Sequence, residues 1–324
     1  MSQSEPLLSI DHLGISTVQD PRTLINDLTF EIHAGEAVGV VGESGSGKTL
    51  SALSILGLLP RGVAVTQGSI EYNGIDLAKI SSQEMRKIRG SEISMVYQDP
   101  MTALNPVMKI GAQLLEVIES HEKIDSNSEE RVRETLREVG IPDVTRAMES
   151  YPHEFSGGMR QRVMIAMALI LSPTLLIADE PTTALDVTIQ QQILALVAEE
   201  RRKRNMSMLW ITHDLGVVAN LVDRLIVMYA GRIVESGSVK EIFTNPQHPY
   251  TYGLLSSLPI TSDKSRKRLT SIAGVPQKPW LVGQSCSFAP RCFNVEAECK
   301  IEIPELHGTL EKSVACFHPV GVKK

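Results

Sequence analysis

The chain has 324 residues, 42% of them hydrophobic, with 32 Lys and Arg against 38 Asp and Glu for a net charge of −6. That is enough apolar material for a large core, held either in one large domain with an appendage or in two domains. The negative balance argues against nucleic-acid binding by general electrostatics; the longest apolar stretch, 163–171, is far short of the roughly 20 residues that cross a bilayer; and residues 1–8 lack the charged-then-apolar pattern of an export signal.

In chain order, residues 7–15 and 28–32 alternate as strands and, with 63–72, predict an antiparallel β subdomain. Residues 37–41 (AVGVV) are a short apolar run expected as a buried strand. GESGSGKT follows at 42–49, and apolar periodicity over 49–59 predicts a helix. The octapeptide fits the phosphate-loop pattern G-x-x-x-x-G-K-S/T, in which backbone N–H groups and the following helix N-terminus surround phosphate oxygens. Gly42, Ser44, Gly45 and Gly47 form that loop, glycine being needed where a Cβ would block the approach. Lys48 would neutralise β- and γ-phosphate charge and the Thr49 hydroxyl would ligate Mg2+, so ATP and Mg2+ are the expected ligands.

The apolar run 93–96 leads into MVYQDP, which carries Gln98, and from 99 to 151 the pattern turns helical and charged. Ser156, Gly157, Gly158, Met159, Arg160 and Gln161 then open a helix predicted from 157 to about 171. Ser156 suits its N-cap, and a helix N-terminus attracts an anion. LLIADEP at 175–181 is four apolar residues closing on two carboxylates, as expected of a parallel strand delivering its C-terminal end to a ligand crevice. Asp179 would hold the Mg2+ shell and Glu180 would act as general base on the attacking water. Residues 189–204 read as an amphipathic helix, MLWIT at 208–212 as a strand ending before His213, and 225–227 resume the sheet.

These segments, in this order, resemble those of ABC (ATP-binding cassette) ATPases, with Met159 in place of commoner residues in the signature motif. The resemblance implies an α/β phosphate-loop cassette over 1–258: a RecA-like parallel sheet core, an antiparallel β subdomain, and a helical subdomain at about 99–160. It implies a dimer in which Ser156, Gly157, Gly158 and Gln161 cover ATP held by the opposite subunit. Gln98 matches the Q-loop, which touches Mg2+ or water and reports to a transmembrane partner. Thr183, Ala184, Leu185 and Asp186 match the D-loop, with Asp186 communicating across the dimer. His213, 33 residues beyond Glu180, matches the histidine that orients the nucleophile. One departure is that 12–18 holds no aromatic residue to stack on adenine. The 108 residues from Lys48 to Ser156 leave no room for the coiled-coil arm of chromosome-maintenance relatives, and without an internal repeat the twin cassette must be another chain.

Beyond about 258 the character changes. Prolines stand at 259, 276, 279 and 290, and all four cysteines fall here, Cys286, Cys292, Cys299 and Cys316, spaced C-x5-C-x6-C-x16-C. Four thiolates suit an iron–sulfur cluster or tetrahedral zinc, although no C-x2-C spacing occurs, and four ordinary buried thiols also fit. The basic run 264–268 (KSRKR) reads as a solvated linker. HPYTYGLL at 248–255 and CSFAPRC at 286–292 resemble, more narrowly, the ATPase subunits of bacterial dipeptide, oligopeptide and nickel importers. That resemblance implies a cysteine-rich extension at 259–324 whose four cysteines hold a 4Fe–4S cluster. It also implies a second ATPase subunit, two transmembrane permeases, an extracytoplasmic peptide-binding protein acting indirectly, and a peripheral place on the cytoplasmic face of the inner membrane, with no nucleic acid. Competing readings are an importer ATPase for nickel or another small substrate, a soluble ABC ATPase working on ribosomes or DNA, and a redox-sensing regulatory module. The single cassette counts against the ribosome or DNA reading, and Asp179, Glu180 and His213 against the regulatory one.

Overall fold

A computed structural model describes residues 5–183, 185–258, 272–309 and 311–321, which leaves Ala184 and the basic run 264–268 outside the described residues. Compactness divides the chain into Met1–Lys79 with Trp210–Lys324 as one unit and Ile80–Leu209 as the other, not at the expected boundary of 258.

In the first unit, strands Thr23–Ile32, Leu8–Thr17, Val63–Tyr72 and Ile75–Asp76 lie in that order as an antiparallel sheet. Leu8 pairs with Ile32 on one side and with Tyr72 on the other. Leu8, Ile10, Leu13, Ile15, Ile25, Leu28 and Ile32 are all at 0% exposure, and a fully buried aliphatic side chain contributes about 1.5–3 kcal/mol. Their spacing slips from two to three between Ile10 and Leu13. A bulge there, with His12 at φ 46°, returns Leu13 to the buried face.

The same unit holds a mixed set of strands. Ala37–Val41, buried at every position, runs parallel to Arg224–Tyr229, with Val38 opposite Arg224 and Val41 opposite Val227. Arg224–Tyr229 pairs antiparallel with Arg232–Ser238. The hairpin of His307–Gly308 and Lys312–Val314 extends this edge, Glu235 facing Val314. The described part of the cysteine-bearing tail is thus built into the first unit. Helix Lys48–Ile55 stops short of the predicted 59 because Gly57 takes φ 60°, the left-handed turn that ends helices.

In the second unit, strands Ile93–Val96 and Leu175–Asp179 pair in parallel, Ile93 opposite Leu175 and Val96 opposite Ala178. The charged stretch after 99 folds into helices Pro100–Ala103, Ile110–Glu119, Ser128–Glu138 and Val144–Glu149. Each of the last three buries a stripe at helical spacing: Ile110, Leu114 and Ile118; Val132 and Leu136; Val144, Ala147 and Met148. Gln113, at 3% exposure, fixes the turn before its own helix. Its amide oxygen accepts from the Asn105 N–H at 2.9 Å, and its amide nitrogen donates to the Asn105 and Met108 carbonyls at 3.0 and 2.9 Å. No described helix is long and apolar enough to cross a membrane.

Candidate nucleotide site

The phosphate loop leaves Ala37–Val41 through Gly42, whose φ is 155°. A Cβ there would sit 2.2 Å from the Met228 carbonyl oxygen, so the neighbouring strand permits only glycine. Gly47, at φ 104°, is the N-cap of helix Lys48–Ile55. Lys48 is 5% exposed, and its Nζ donates to the carbonyls of Gly42 at 2.7 Å and Glu43 at 3.0 Å, which fixes the ammonium against the loop backbone. Ser44, Gly45 and Thr49 are exposed.

Sequence reasoning missed what holds this loop. The Glu43 N–H donates to the Tyr250 hydroxyl at 2.8 Å, and the Glu43 carboxylate takes both terminal nitrogens of Arg291 at 2.6 and 3.0 Å. Tyr250 belongs to the HPY triplet, which was legible as a motif but not as a loop contact.

In the second unit, Asp179 is 4% exposed at the end of Leu175–Asp179. Glu180 follows in the left-handed region at φ 46°, a conformation that costs a non-glycine residue on the order of 1–3 kcal/mol and is kept where the surroundings enforce it. Two donors converge on its Oε2: the Gln98 amide at 3.2 Å and the Thr183 hydroxyl at 3.0 Å. Gln98 therefore meets the carboxylate turn, a contact the sequence did not foretell, and Thr183 of the predicted D-loop joins it. Asp186 caps helix Val187–Arg204, its Oδ1 accepting the Ile189 N–H at 3.0 Å.

Ser156 caps the 13-residue helix Gly157–Leu169, accepting the Met159 N–H at 3.3 Å. The two glycines differ in purpose. A Cβ on Gly157 would meet only a Leu185 methyl at 3.9 Å, whereas one on Gly158 would lie 2.8 Å from Ile189 Cγ2, so Gly158 is required by the packing of two helices. Gln161, expected to cover nucleotide, is 1% exposed, with its Nε2 lacking a hydrogen-bond partner.

His213, in the first unit, is exposed at the end of strand Ser207–Thr212. The turn beneath it is tied down: the Asp214 N–H donates to the Thr212 hydroxyl at 3.0 Å, and Asp214 Oδ1 accepts from the Gly216 N–H at 2.8 Å. The Thr49 hydroxyl, Gln98 amide oxygen and Asp179 carboxylate are hard oxygen donors, the set that Mg2+ takes.

The expected 4Fe–4S cluster is not borne out, and the zinc alternative goes with it. Among the described residues no group of three or more His, Cys, Asp or Glu is placed to hold a metal ion. Cys286, Cys292, Cys299 and Cys316 are free thiols lining one cavity of about 10 Å3, room for about one water. Burial pushes the Cys286 and Cys292 thiols up, and Cys316 up to about 12. Cys299 is buried and the other three are half-buried, and all four line this cavity with Phe288.

Comparison with known proteins agrees with this geometry. A profile described as ABC transporter matches residues 25–183, and one described as Oligopeptide/dipeptide transporter, C-terminal region, matches 234–299. The chain is 49% identical to the dipeptide transport ATP-binding protein DppD of Bacillus subtilis over 91% of its own length and 89% of that protein's. It is 45% identical to the oligopeptide transport ATP-binding protein OppD of Escherichia coli over 98% and 95% of the two lengths. Among solved structures it is similar to cbiO1 of Clostridium perfringens, part of the ABC transporter complex cbiONQ, with TM-score 0.66 and 26% identity over 75% of this chain and 92% of that one. It is also similar to the ATP-binding cassette MJ0796, solved as a dimer in a post-hydrolysis state bound to ADP and Pi, with TM-score 0.64 and 25% identity over 72% and 98%.

Proposed function

The chain belongs to the family of ABC transporter ATP-binding subunits, and from that premise we propose that it hydrolyses ATP to energise a membrane importer of di- or oligopeptides. The observation that carries the catalytic part is Glu180, held in a left-handed turn beside Asp179 with its carboxylate oriented by Gln98 and Thr183. The peptide cargo rests on the transporter relatives and on the match of residues 234–299.

In this reading each set of residues has one task. The N–H groups of the phosphate loop bind phosphate oxygens, and Lys48 turns from the loop carbonyls to the negative charge. Mg2+, when bound, neutralises charge on the β- and γ-phosphates. Thr49, Asp179 and Gln98 would hold it through their side-chain oxygens. Glu180 accepts the proton of the attacking water, and His213 orients that water. Ser156 and Gly157 present the N-terminus of helix Gly157–Leu169 to ATP held by a second ATPase chain, so that closure of the pair depends on both nucleotides. Asp186 works at that interface. Two permease subunits receive the motion near Gln98, an extracytoplasmic binding protein delivers peptide to them, and this chain sits peripherally on the cytoplasmic face.

The test is capture of the full-length chain from solubilised membranes, with mass spectrometry of the co-purifying proteins and ATPase assays before and after. The reading expects two integral membrane subunits and a second ATPase to co-purify and to change the hydrolysis rate. Capture of ribosomal or DNA-bound proteins instead would overturn it.

A further inference from the structure

Glu43, second residue of the phosphate loop, is held at every polar group it carries. Its N–H meets the Tyr250 hydroxyl at 2.8 Å, its carboxylate meets Arg291 at 2.6 and 3.0 Å, and its carbonyl accepts from Lys48 Nζ at 3.0 Å and from the Ser46 N–H at 3.2 Å. The first two partners lie 207 and 248 residues further along the chain.

The Arg291 end of this link is built, not casual. The side chain is 3% exposed, its Nε donates to the Ala273 carbonyl at 2.9 Å, and its guanidinium carbon lies 5.8 and 5.9 Å from the ring centres of Tyr229 and Phe288. Tyr229, Tyr250 and Phe288 pack on one another with centroids 4.7, 5.3 and 5.4 Å apart. An exposed ion pair would contribute little. A bidentate pair whose guanidinium is buried and whose carboxylate is half-buried is different, because removing the carboxylate strands the buried charge and leaves its donors unmade. The Glu43 carboxylate in turn holds the Arg291 guanidinium still more firmly in its charged form.

A loop containing three glycines has many conformations to lose when it wraps a phosphate. Fixing one residue in the middle of its entry turn removes part of that cost before the ligand arrives. We propose that Arg291 and Tyr250 are positioning residues for the phosphate loop, acting through Glu43, so that the segment carrying the cysteines sets the affinity for nucleotide. The proposal rests on the reading that this loop binds ATP.

The experiment uses the full-length chain, a fluorescent ATP analogue with Mg2+, and steady-state hydrolysis. Arg291→Gln and Glu43→Gln should each raise the analogue's Kd about tenfold, roughly 1.4 kcal/mol. They should raise KM for ATP with kcat held within about twofold, the split expected of lost binding. The double variant should be no weaker than either single one, because both remove the same contact. Arg291→Lys should recover part of the affinity, keeping the charge without the fork, and Tyr250→Phe should cost a few-fold. Effects that multiply in the double variant, or a Kd within about twofold of wild type alongside a lowered Tm, would overturn the proposal and leave the pair a mere fastener. If Arg291→Gln does not fold, Arg291→Lys and Tyr250→Phe decide the matter, and unchanged Kd in both overturns it. Failure of the wild-type chain to bind the analogue would instead sink the nucleotide reading itself, which keeps the two failures apart.

Discussion

The Gln98 amide donates to the Glu180 carboxylate at 3.2 Å across 82 residues of sequence, and Thr183 meets the same oxygen at 3.0 Å. Two neutral donors thus aim this carboxylate. Glu180→Gln preserves the shape and removes the base, so steady-state phosphate release should fall by about a hundredfold or more while ATP still binds, the range for losing a general base. Phosphate-release assays beside analogue binding check it, and wild-type turnover in this variant would remove Glu180 from the chemistry.

Gly158 lies where a Cβ would come within 2.8 Å of Ile189 Cγ2. Gly158→Ala should therefore destabilise by about 1–3 kcal/mol, the usual penalty of overpacking. In an Ile189→Ala background the same substitution should cost much less, because the clashing methyl is gone and alanine is the better helix former. Urea midpoints for the four proteins of the cycle measure the coupling, and additive costs would refute the packing explanation.

Burial pushes the His248 imidazole down to about 3, and its Nδ1 accepts the Tyr250 N–H at 3.0 Å. The unfolded chain takes a proton near the ordinary 6.5. Between those values the unfolded state binds more protons than the folded one, so stability falls as pH drops, at up to roughly 1.4 kcal/mol per unit. Glu235, whose carboxyl burial raises, pulls the other way and is common to both proteins compared. His248→Asn keeps an acceptor for the Tyr250 N–H and loses the titration. It should lose about 2 kcal/mol less stability than wild type between about pH 7 and about pH 5, read from denaturant midpoints at each pH.

Removing Mg2+ with a chelator should abolish hydrolysis, and adding it back should restore it. Thr49→Ala, which deletes one hard oxygen from an exposed position of the loop, should raise the Mg2+ concentration at half-maximal rate by about tenfold. A magnesium titration of the two proteins at saturating ATP checks this.

Much of the architecture was legible because it rests on local pattern. Ala37–Val41, Val63–Tyr72 and Ile93–Val96 fall where their apolar runs and alternation put them. Strand Arg232–Ser238 was not foreseen. Its sequence RIVESGS buries Glu235 at 0% exposure, and only the folded chain shows that this carboxylate accepts the N–H groups of Gln247 and His248 at 2.7 and 2.9 Å. Gln98, Glu180 and Ser156 stand at motif spacing, which the sequence shows directly. The burial of Gln161 could not be read, because a motif gives residue order and not the face of the helix on which a side chain lies. The cysteine spacing gave a ligand count but no geometry, and among the described residues no group of three or more His, Cys, Asp or Glu is placed to hold a metal ion. Arg291 on Glu43 joins residues 248 apart and left no local signal at all.

The central claim is that hydrolysis at this chain drives peptide inward. The direct measurement is uptake of a labelled oligopeptide into proteoliposomes holding the co-purified membrane complex, with the binding protein outside and ATP with Mg2+ inside. The account predicts accumulation against the gradient with the wild-type chain and none with Glu180→Gln. Equal uptake in both, or brisk hydrolysis by the wild-type complex without any peptide movement, would contradict it.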